Sequence, residues 1–207
     1  MNREPNQRSS TAKLPPDSTS LESDLLQRSM DGDGRAFASL VRPHLPLMLR
    51  IAHRYTGNHS LAQDAVQESM TRLYQGLKRY QPGTSFRAWF ASITTSVAYT
   101  MRRSEIRRRK REQSSDISDS QVGSAESEVR AQQLGKTIRE TLASMPKKRR
   151  SAATLRLDGR LSYAEIAQAL NTTENSARVL VSMAMKDLRQ VISHWNETGE
   201  VLVGGQP

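Results

Sequence analysis

The stretch from residue 161 to residue 178 has the sequence Leu161-Ser-Tyr-Ala-Glu-Ile-Ala-Gln-Ala-Leu-Asn-Thr-Thr-Glu-Asn-Ser-Ala-Arg178, which is a helix–turn–helix pattern. Ser162 and Glu165 have the spacing of a capping box, so a short helix is predicted to begin there. Asn171-Thr-Thr173 predicts a three-residue turn, and a last helix is predicted over about residues 174–194. Small apolar side chains on the first helix allow the second to cross it closely.

The second helix of this motif has an apolar face and a polar face. Its inward positions are Ala177, Val181, Ala184 and Leu188. Its outward positions are Asn175, Ser176, Arg178, Val179, Ser182 and Lys186. An exposed helix with such a polar N-terminal end can enter the major groove of DNA and meet base edges. Four basic residues suited to phosphate contacts lie just upstream, namely Lys147, Lys148, Arg149 and Arg150. A purely structural helical hairpin is the alternative.

The charge of the whole chain favours a polyanionic partner. The 207 residues carry a formal net charge of +10, and 24 of the 31 basic residues are arginine. Arginine presents a planar fork that suits phosphate oxygens and guanine edges. Residues 102–112 carry seven basic and two acidic side chains, residues 113–129 carry four acidic and no basic ones, and residues 135–193 carry eleven against five. This distribution predicts two DNA-facing modules joined by a flexible acidic linker.

The composition also excludes several classes of protein. With 36% hydrophobic and 5% aromatic residues, a large β-sandwich or α/β barrel is not expected. The chain has no cysteine, which excludes a disulfide scaffold, a cysteine zinc site and a thiol nucleophile, and it fits a cytoplasmic location. No apolar run is long enough for membrane insertion. Because there is no Gly-rich phosphate loop, GxSxG or HExxH motif, we expect no catalysis, cofactor, metal or small-molecule substrate.

Apolar residues at helical spacing predict an all-α fold of two small helical domains. A disordered tail is expected over residues 1–18 and a four-helix domain over 19–112, with its second helix interrupted by Pro43 and Pro46. A linker is expected over 113–131, although a weaker helical pattern covers about 126–143. The helix–turn–helix domain is expected over 132–194, and a frayed tail over 195–207.

Two further features of the four-helix domain are open to more than one interpretation. The basic run at 102–111 follows a helix rich in aromatic residues, a combination found where proteins bind an unpaired DNA strand. At least two of the aromatic residues Phe86, Trp89 and Phe90 are nevertheless expected only to pack in the core. Asp64, Gln67 and Glu68 form a polar stripe on the third helix, which from spacing alone is best explained by exposure to solvent.

Four motifs in order give the chain a resemblance to a known family. They are Asp64-Ala-Val-Gln67-Glu68, Ser85-Phe-Arg-Ala-Trp89-Phe90, Leu142-Ala-Ser-Met-Pro146 and Leu161-Ser-Tyr-Ala-Glu165-Ile-Ala. Over about residues 24–112 and 132–192 the chain resembles the small, extracytoplasmic-function (ECF) type of bacterial RNA polymerase sigma factor, of the sigma-70 family. That group has only regions 2 and 4. The resemblance implies a factor that directs core polymerase to promoters, while the polymerase performs the nucleotidyl transfer.

The resemblance also implies partners and contact residues. The stripe Asp64, Gln67 and Glu68 would bind the β′ clamp helices of core polymerase, whose β subunit is a further expected partner, as is an anti-sigma factor. The residues expected at the −10 element are Lys78, Arg79, Ser85, Trp89, Ser96, Arg102, Arg103 and Arg107. Those expected at the −35 element are Lys147, Lys148, Arg149, Arg150, Asn175, Ser176, Arg178, Ser182 and Lys186.

The chain departs from the family pattern at four positions. Ser96 and Thr100 stand where the family usually has Asn and Asp, and Leu180 and Met183 stand at common Arg positions. These departures keep open a sigma-like decoy, which binds core polymerase or an anti-sigma protein without initiating transcription. A two-module regulator with no polymerase role is a third hypothesis, and the pairing of the Asp64/Gln67 stripe with the Phe86–Phe90 motif argues against it.

Overall fold

The computed structural model describes residues 18–81, 83–112 and 126–198. Over these residues the chain consists of α-helices and two single-turn 3-10 helices (Arg42–His44 and Leu77–Arg79), without a β-strand, which confirms the all-α prediction. The predicted tails up to residue 17 and from residue 199, and residues 113–125 of the predicted linker, lie outside this description. The α-helices are α1 (Ser18–Met30), α2 (Gly34–Val41), α3 (Leu45–Thr56), α4 (His59–Gly76), α5 (Phe86–Glu112), α6 (Glu126–Ser144), α7 (Lys147–Leu157), α8 (Tyr163–Leu170) and α9 (Glu174–Thr198).

The chain forms two compact units, one ending at Leu40 and the other beginning at Val41. In the first unit, α1 begins one residue before the predicted start, and Asp33 caps α2. The Asp33 carboxylate accepts hydrogen bonds from the N–H groups of Arg35 (2.9 Å) and Ala36 (3.0 Å). The Ala36 bond and a hydrogen bond from the Arg28 guanidinium lower the pKa of Asp33. The turn between α1 and α2 is thereby held by a charged cap.

Two prolines divide what would otherwise be one helix. α2 ends at Val41, a 3-10 turn follows, and α3 begins at Leu45. Pro43 and Pro46 lack the backbone N–H that a continuous helix needs. The predicted interruption is confirmed.

Helices α3, α4 and α5 pack together around an apolar core. The fully buried side chains include Met48, Ile51, Leu73, Phe86 and Phe90. The rings of Phe86 and Phe90 lie 6.3 Å apart, so the expectation that at least two aromatic residues serve packing is confirmed. We call residues 41–112 the α3–α5 module.

Helices α6 to α9 form a second helical group, here called the α6–α9 module (residues 126–198). Its core contains Leu142, Met145, Ala153, Ala184 and Leu188. Because α6 begins at Glu126, residues 126–131 are helical, although they were predicted as linker. In the helix–turn–helix, the Ser162 hydroxyl accepts a hydrogen bond from the Glu165 N–H at 3.2 Å. The Glu165 carboxylate accepts one from the Ser162 N–H at 2.8 Å, which confirms the predicted capping box.

Glycine is required in the turn between α7 and α8. An added Cβ at Gly159 would lie 2.4 Å from the carbonyl oxygen of Leu155 and 2.9 Å from Cδ1 of Leu161. The following residue, Arg160, has a φ of 48°. The close approach of the backbone at Gly159 to the Leu155 carbonyl oxygen therefore fixes the direction of α8 relative to α7.

The two modules belong to the same compact unit and pack directly on each other. Helix α3 contacts α7, and α5 contacts α8. The sequence predicts two helical domains joined by a flexible acidic linker. The structure brings the two domains together through side chains more than 70 residues apart, contacts that no local sequence pattern reports.

Candidate nucleic-acid interface

The junction between the modules is held by charged hydrogen bonds. The Nε of Arg54 in α3 donates to Oδ2 of Asp158 at 2.8 Å, and its Nη2 donates to Oδ1 at 2.7 Å. This two-point pairing raises the pKa of Arg54, against the opposing effect of burial. Nη2 of Arg87 in α5 donates to the carbonyl oxygens of Arg160 (2.8 Å) and Gly159 (3.1 Å). Two arginines of the α3–α5 module thus hold the turn that precedes α8.

Ser85 lies at this junction rather than on a free surface. Its hydroxyl accepts a hydrogen bond from the N–H of Ala88 at 3.2 Å, which caps α5. The same hydroxyl is 3.2 Å from Oε1 of Glu165 in α8, and the Ser85 N–H donates to Oε1 of Gln168 at 3.0 Å. The predicted −10 contact at Ser85 is therefore covered by α8 in this arrangement.

The basic run at the start of α7 is largely engaged within the chain. Nη1 of Arg149 donates to Asp187 of α9 at 2.9 Å. The guanidinium of Arg150 lies 4.9 Å from the ring centroids of both Tyr55 and Tyr99. The Tyr55 hydroxyl is 3.0 Å from the Ser151 hydroxyl, and burial raises the pKa of Tyr55. Arg149 and Arg150 are thus engaged within the chain in this arrangement, and their contact with DNA phosphates stays a prediction.

Two lysines of the same run remain exposed. Lys147 has its Nζ 5.0 Å from the centroid of the Tyr99 ring, and Lys148 is exposed on the first turn of α7. A phosphate oxygen can reach either ammonium without breaking an ion pair among those described. The positive surface at the start of α7 is thus smaller than the sequence indicated.

Among the predicted −10 residues near the start of α5, Lys78 and Arg79 are exposed and Trp89 is half-buried. Lys78 and Arg79 lie on an exposed 3-10 turn. Trp89 is half-buried, with its ring 5.2 Å from the Tyr80 ring. An added Cβ at Gly76 would lie 3.3 Å from Cζ2 of Trp89, so the indole is packed closely on one side. Only part of the indole remains available for stacking against a base.

The later predicted −10 residues follow α5 toward its C-terminal end. Ser96 is exposed, and its carbonyl oxygen accepts a hydrogen bond from the Thr100 hydroxyl at 2.9 Å. Arg103 and Arg107 are exposed, whereas Arg102 is half-buried and lines a cavity. Two cations on this helix are thus free to meet a DNA backbone.

The predicted polymerase-binding stripe lies on the outer side of α4. Asp64 and Gln67 are exposed, and Glu68 is partly exposed and paired with Arg72 at 2.7 Å. The opposite side of the helix is buried at Ala62, Ala65, Val66, Ser69 and Leu73. The stripe can therefore contact another protein without disturbing the core.

The outward face of α9 is largely as the sequence predicted. Asn175, Arg178, Val179, Ser182 and Lys186 are exposed, while Ser176 is half-buried. The four predicted inward residues, Ala177, Val181, Ala184 and Leu188, are buried. Arg178 donates to Glu174 at 2.6 Å, and its guanidinium lies 4.6 Å from the centroid of the Tyr163 ring. A local carboxylate and an aromatic ring therefore position this arginine at the N-terminal end of the helix.

The sequence did not identify the residues that join the modules. Arg54, Arg87, Asp158 and Gln168 have no predicted role. Glu165 was recognised only as part of a cap. Their partners lie 72 to 104 residues away along the chain, so a local sequence pattern could not identify these contacts.

Comparison with known proteins assigns both modules. The family model for Sigma-70 region 2 matches residues 40–111, and that for Sigma-70, region 4 matches residues 136–188. The ECF RNA polymerase sigma factor SigE of Mycolicibacterium smegmatis is 31% identical over 175 residues, covering 82% of this chain and 68% of the relative. The chain belongs to the ECF sigma factors of the sigma-70 family. As an ECF sigma factor, it directs core RNA polymerase to promoters for transcription initiation.

Other sigma factors and solved structures agree with this assignment. The RNA polymerase sigma-H factor of Pseudomonas aeruginosa is 26% identical and covers 81% of this ECF sigma factor and 92% of the relative. The structure of CnrH in complex with the cytosolic domain of CnrY matches with a TM-score of 0.61 at 18% identity, covering 84% of this chain and 98% of CnrH. The sigma factor RpoE bound to the anti-sigma factor NepR, from Bartonella quintana, matches with a TM-score of 0.52 at 19% identity, over 75% and 98% of the two chains. These two likenesses confirm the fold. None of the described helices is long and apolar enough to cross a membrane.

Proposed function

We propose that the two modules of this sigma factor divide promoter recognition between them. The α3–α5 module binds core polymerase through Asp64 and Gln67 and holds the −10 element through exposed cations. The α6–α9 module reads the −35 element as duplex DNA. The observation that carries this assignment is the exposed polar face of α9, which follows a helix–turn–helix and is backed by a buried apolar face.

The proposed contact residues are those whose side chains are accessible. At the −35 element they are Lys147, Lys148, Asn175, Ser176, Arg178, Ser182 and Lys186. At the −10 element they are Lys78, Arg79, Trp89, Ser96, Arg103 and Arg107, joined by Ser85 and Arg102 once the modules separate. Arg149 is paired with Asp187 and Arg150 lies against two tyrosine rings, so neither is among the accessible contacts in this arrangement.

Promoter binding requires that the modules separate. The −10 and −35 elements lie about 25 base pairs apart, which is about 85 Å of duplex at about 3.4 Å per base pair. In the packed arrangement the two modules touch through hydrogen bonds of 2.7–3.2 Å. Two modules in direct contact cannot reach both elements of a straight duplex at once. We therefore assign the packed arrangement to the sigma factor before it engages a promoter.

The chain between the modules is long enough for such a separation. Thirteen residues lie between Glu112, the last residue of α5, and Glu126, the first of α6. At about 3.5 Å per residue, this segment can span up to about 45 Å. The dimensions of the two modules account for the rest of the distance between the −10 and −35 elements.

The expected partners are core polymerase, promoter DNA and an anti-sigma factor. An anti-sigma partner is supported by the CnrH and RpoE structures, in which RpoE is bound to the anti-sigma factor NepR. We place the protein in the cytoplasm, where core polymerase acts. Nucleotidyl transfer belongs to the polymerase, and this chain contributes binding without catalysis.

One observation favours a second candidate function, the sigma-like decoy. Val179 is 50% exposed and Met183 is 44% exposed, one helical turn apart on the outward face of α9. Met183 stands where the family commonly has a phosphate-binding arginine. An apolar pair at this position suits a protein partner, although Val179 can also contact a thymine methyl group.

Run-off transcription distinguishes the two functions. Purified full-length protein and core polymerase are combined with a library of promoter fragments, and transcripts are sequenced. The promoter-directing function predicts defined start sites that share −10 and −35 sequences. Stable binding to core polymerase with no transcript from any fragment would instead establish the decoy.

A further inference from the structure

A strongly positive cavity lies where the two modules meet. Its volume is about 560 Å³, and its lining comes from the end of α3, the turn that follows it, and helices α5, α6 and α7. The lining contains one acidic residue, Glu140. It contains six basic residues, which are Arg54, Arg102, Arg109, Lys136, Arg139 and Arg150.

Most of this positive charge is not neutralised by the described residues. Arg54 is paired with Asp158, and Arg109 with Glu105 at 2.8 Å. Arg102, Lys136, Arg139 and Arg150 form no ion pair with any residue that the structure describes. Four cations therefore converge on one cavity with a single carboxylate in its lining.

Two of these arginines are in unfavourable surroundings. Burial lowers the pKa of Arg102, and the neighbouring cations Arg109, Arg139 and Arg150 lower it further, against the effect of Glu105. The Nε of Arg150 is buried without a hydrogen-bond acceptor among the described residues. An anion in the cavity relieves the repulsion among these guanidinium groups.

We propose that this cavity binds a small multivalent phosphate anion, either inorganic polyphosphate of a few units or the phosphate chain of a nucleotide. Guanidinium groups bind phosphate oxygens in pairs, which favours phosphate over a single carboxylate. The volume lies within the range of small-ligand sites. Tyr55, Ile106 and Leu142 supply apolar lining that can accommodate a nucleobase.

Such a ligand favours the packed arrangement of the modules. Arg102 and Arg109 belong to the α3–α5 module, whereas Lys136, Arg139 and Arg150 belong to the α6–α9 module. An anion bound by both groups stabilises their contact and occupies Arg102, an arginine that we assign to the −10 element. This regulatory consequence rests on the proposed function, whereas the binding itself does not.

The test measures thermal unfolding and calorimetric binding of the full chain. The probes are inorganic tripolyphosphate, ATP, and citrate as a multivalent carboxylate, all at constant ionic strength set with sodium chloride. We expect saturating tripolyphosphate to raise the Tm by about 5 °C or more. We expect Arg102→Gln with Arg139→Gln to weaken its binding at least about tenfold. Tighter binding of ATP than of tripolyphosphate would identify a nucleotide as the source of the phosphate chain, and weaker binding of ATP would identify an inorganic chain.

Matched variants distinguish binding in the cavity from a general effect of the protein's positive charge. Arg35→Gln with Arg189→Gln removes the same charge from exposed positions outside the cavity and is expected to bind like the original protein. Lys136→Gln with Arg139→Gln, both exposed on α6, repeats the test should the Arg102 variant fail to fold. Equal loss in the control pair, or citrate binding as tightly as tripolyphosphate, would overturn the proposal. Neither readout uses polymerase, so an inactive run-off assay leaves this result unaffected.

Discussion

Arg54 and Asp158 are 104 residues apart in the sequence, yet they form a two-point ion pair with N–O distances of 2.7 and 2.8 Å. Arg54 belongs to the region 2 module and Asp158 to the region 4 module. The pair is partly shielded, since 14% of the Asp158 side chain is exposed. It therefore links the region 2 and region 4 modules of this sigma factor directly.

Removing this link should favour separation of the modules. We expect Asp158→Asn to destabilise the packed arrangement by about 1–3 kcal/mol, because Arg54 is left partly buried without its carboxylate. Small-angle X-ray scattering should then show a larger radius of gyration. Asp187→Asn is the matched control, since it breaks the Arg149–Asp187 pair within one module. An equal expansion in both variants would show that the Arg54–Asp158 pair has no special role in the junction.

Features set by local chemistry were predicted well from the sequence. The capping box at Ser162 and Glu165 and the break at Pro43 and Pro46 depend on neighbours within a few residues, and both are present in the structure. The buried face of α9 follows from helical periodicity alone.

The partners of the basic residues could not be predicted in this way. Arg149 and Arg150 look like phosphate contacts in the sequence, yet one meets Asp187 and the other lies against two tyrosine rings. A guanidinium suits a phosphate, a carboxylate and an aromatic face equally well. Which of these it meets depends on contacts across the fold, which periodicity does not report.

The outer stripe of α4 should be required for binding to core polymerase. We expect Asp64→Ala with Gln67→Ala to weaken the association at least tenfold, or about 1.4 kcal/mol, while circular dichroism shows unchanged helicity. Both side chains are exposed, so no core packing is lost. His59→Ala is the control, because His59 is exposed on the same helix but lies about two turns before Gln67 and further round the helix. Unaltered binding of the Asp64/Gln67 variant would exclude the stripe as the docking surface.

Arg178 should contact a base at the −35 element. Its position at the N-terminal end of α9, stacked on Tyr163, holds the guanidinium ready for a guanine edge. We expect Arg178→Ala to weaken binding to the original −35 site by about 1–3 kcal/mol, and to have little effect on binding to sites in which the contacted base pair is changed. Binding is measured on the −35 site and its single-base variants at two salt concentrations, with Arg189→Ala as the control on the same helix. A uniform loss on every variant, with a smaller salt slope, would make Arg178 a phosphate contact instead.

The turn before α8 should not tolerate a side chain at position 159. We expect Gly159→Ala to lower the free energy of unfolding by about 1–3 kcal/mol, because the added Cβ would meet the Leu155 carbonyl oxygen at 2.4 Å. Gly34→Ala meets nothing within 4 Å and should leave the stability unchanged or slightly higher. Chemical denaturation of both variants measures the difference. Equal stabilities would mean that the turn adjusts freely.

We propose that the two modules must separate before this sigma factor can use a promoter. Because the chain has no cysteine, Arg50→Cys with Arg160→Cys creates the only two thiols, on opposite sides of the junction near Asp158. A short reducible bis-maleimide then joins them, and run-off transcription is measured with core polymerase before and after reduction, alongside each single-cysteine variant. We predict that the linked protein gives no promoter-specific transcript, that reduction restores transcription, and that the single-cysteine variants are active throughout. Full transcription by the linked protein would show that the modules need not separate.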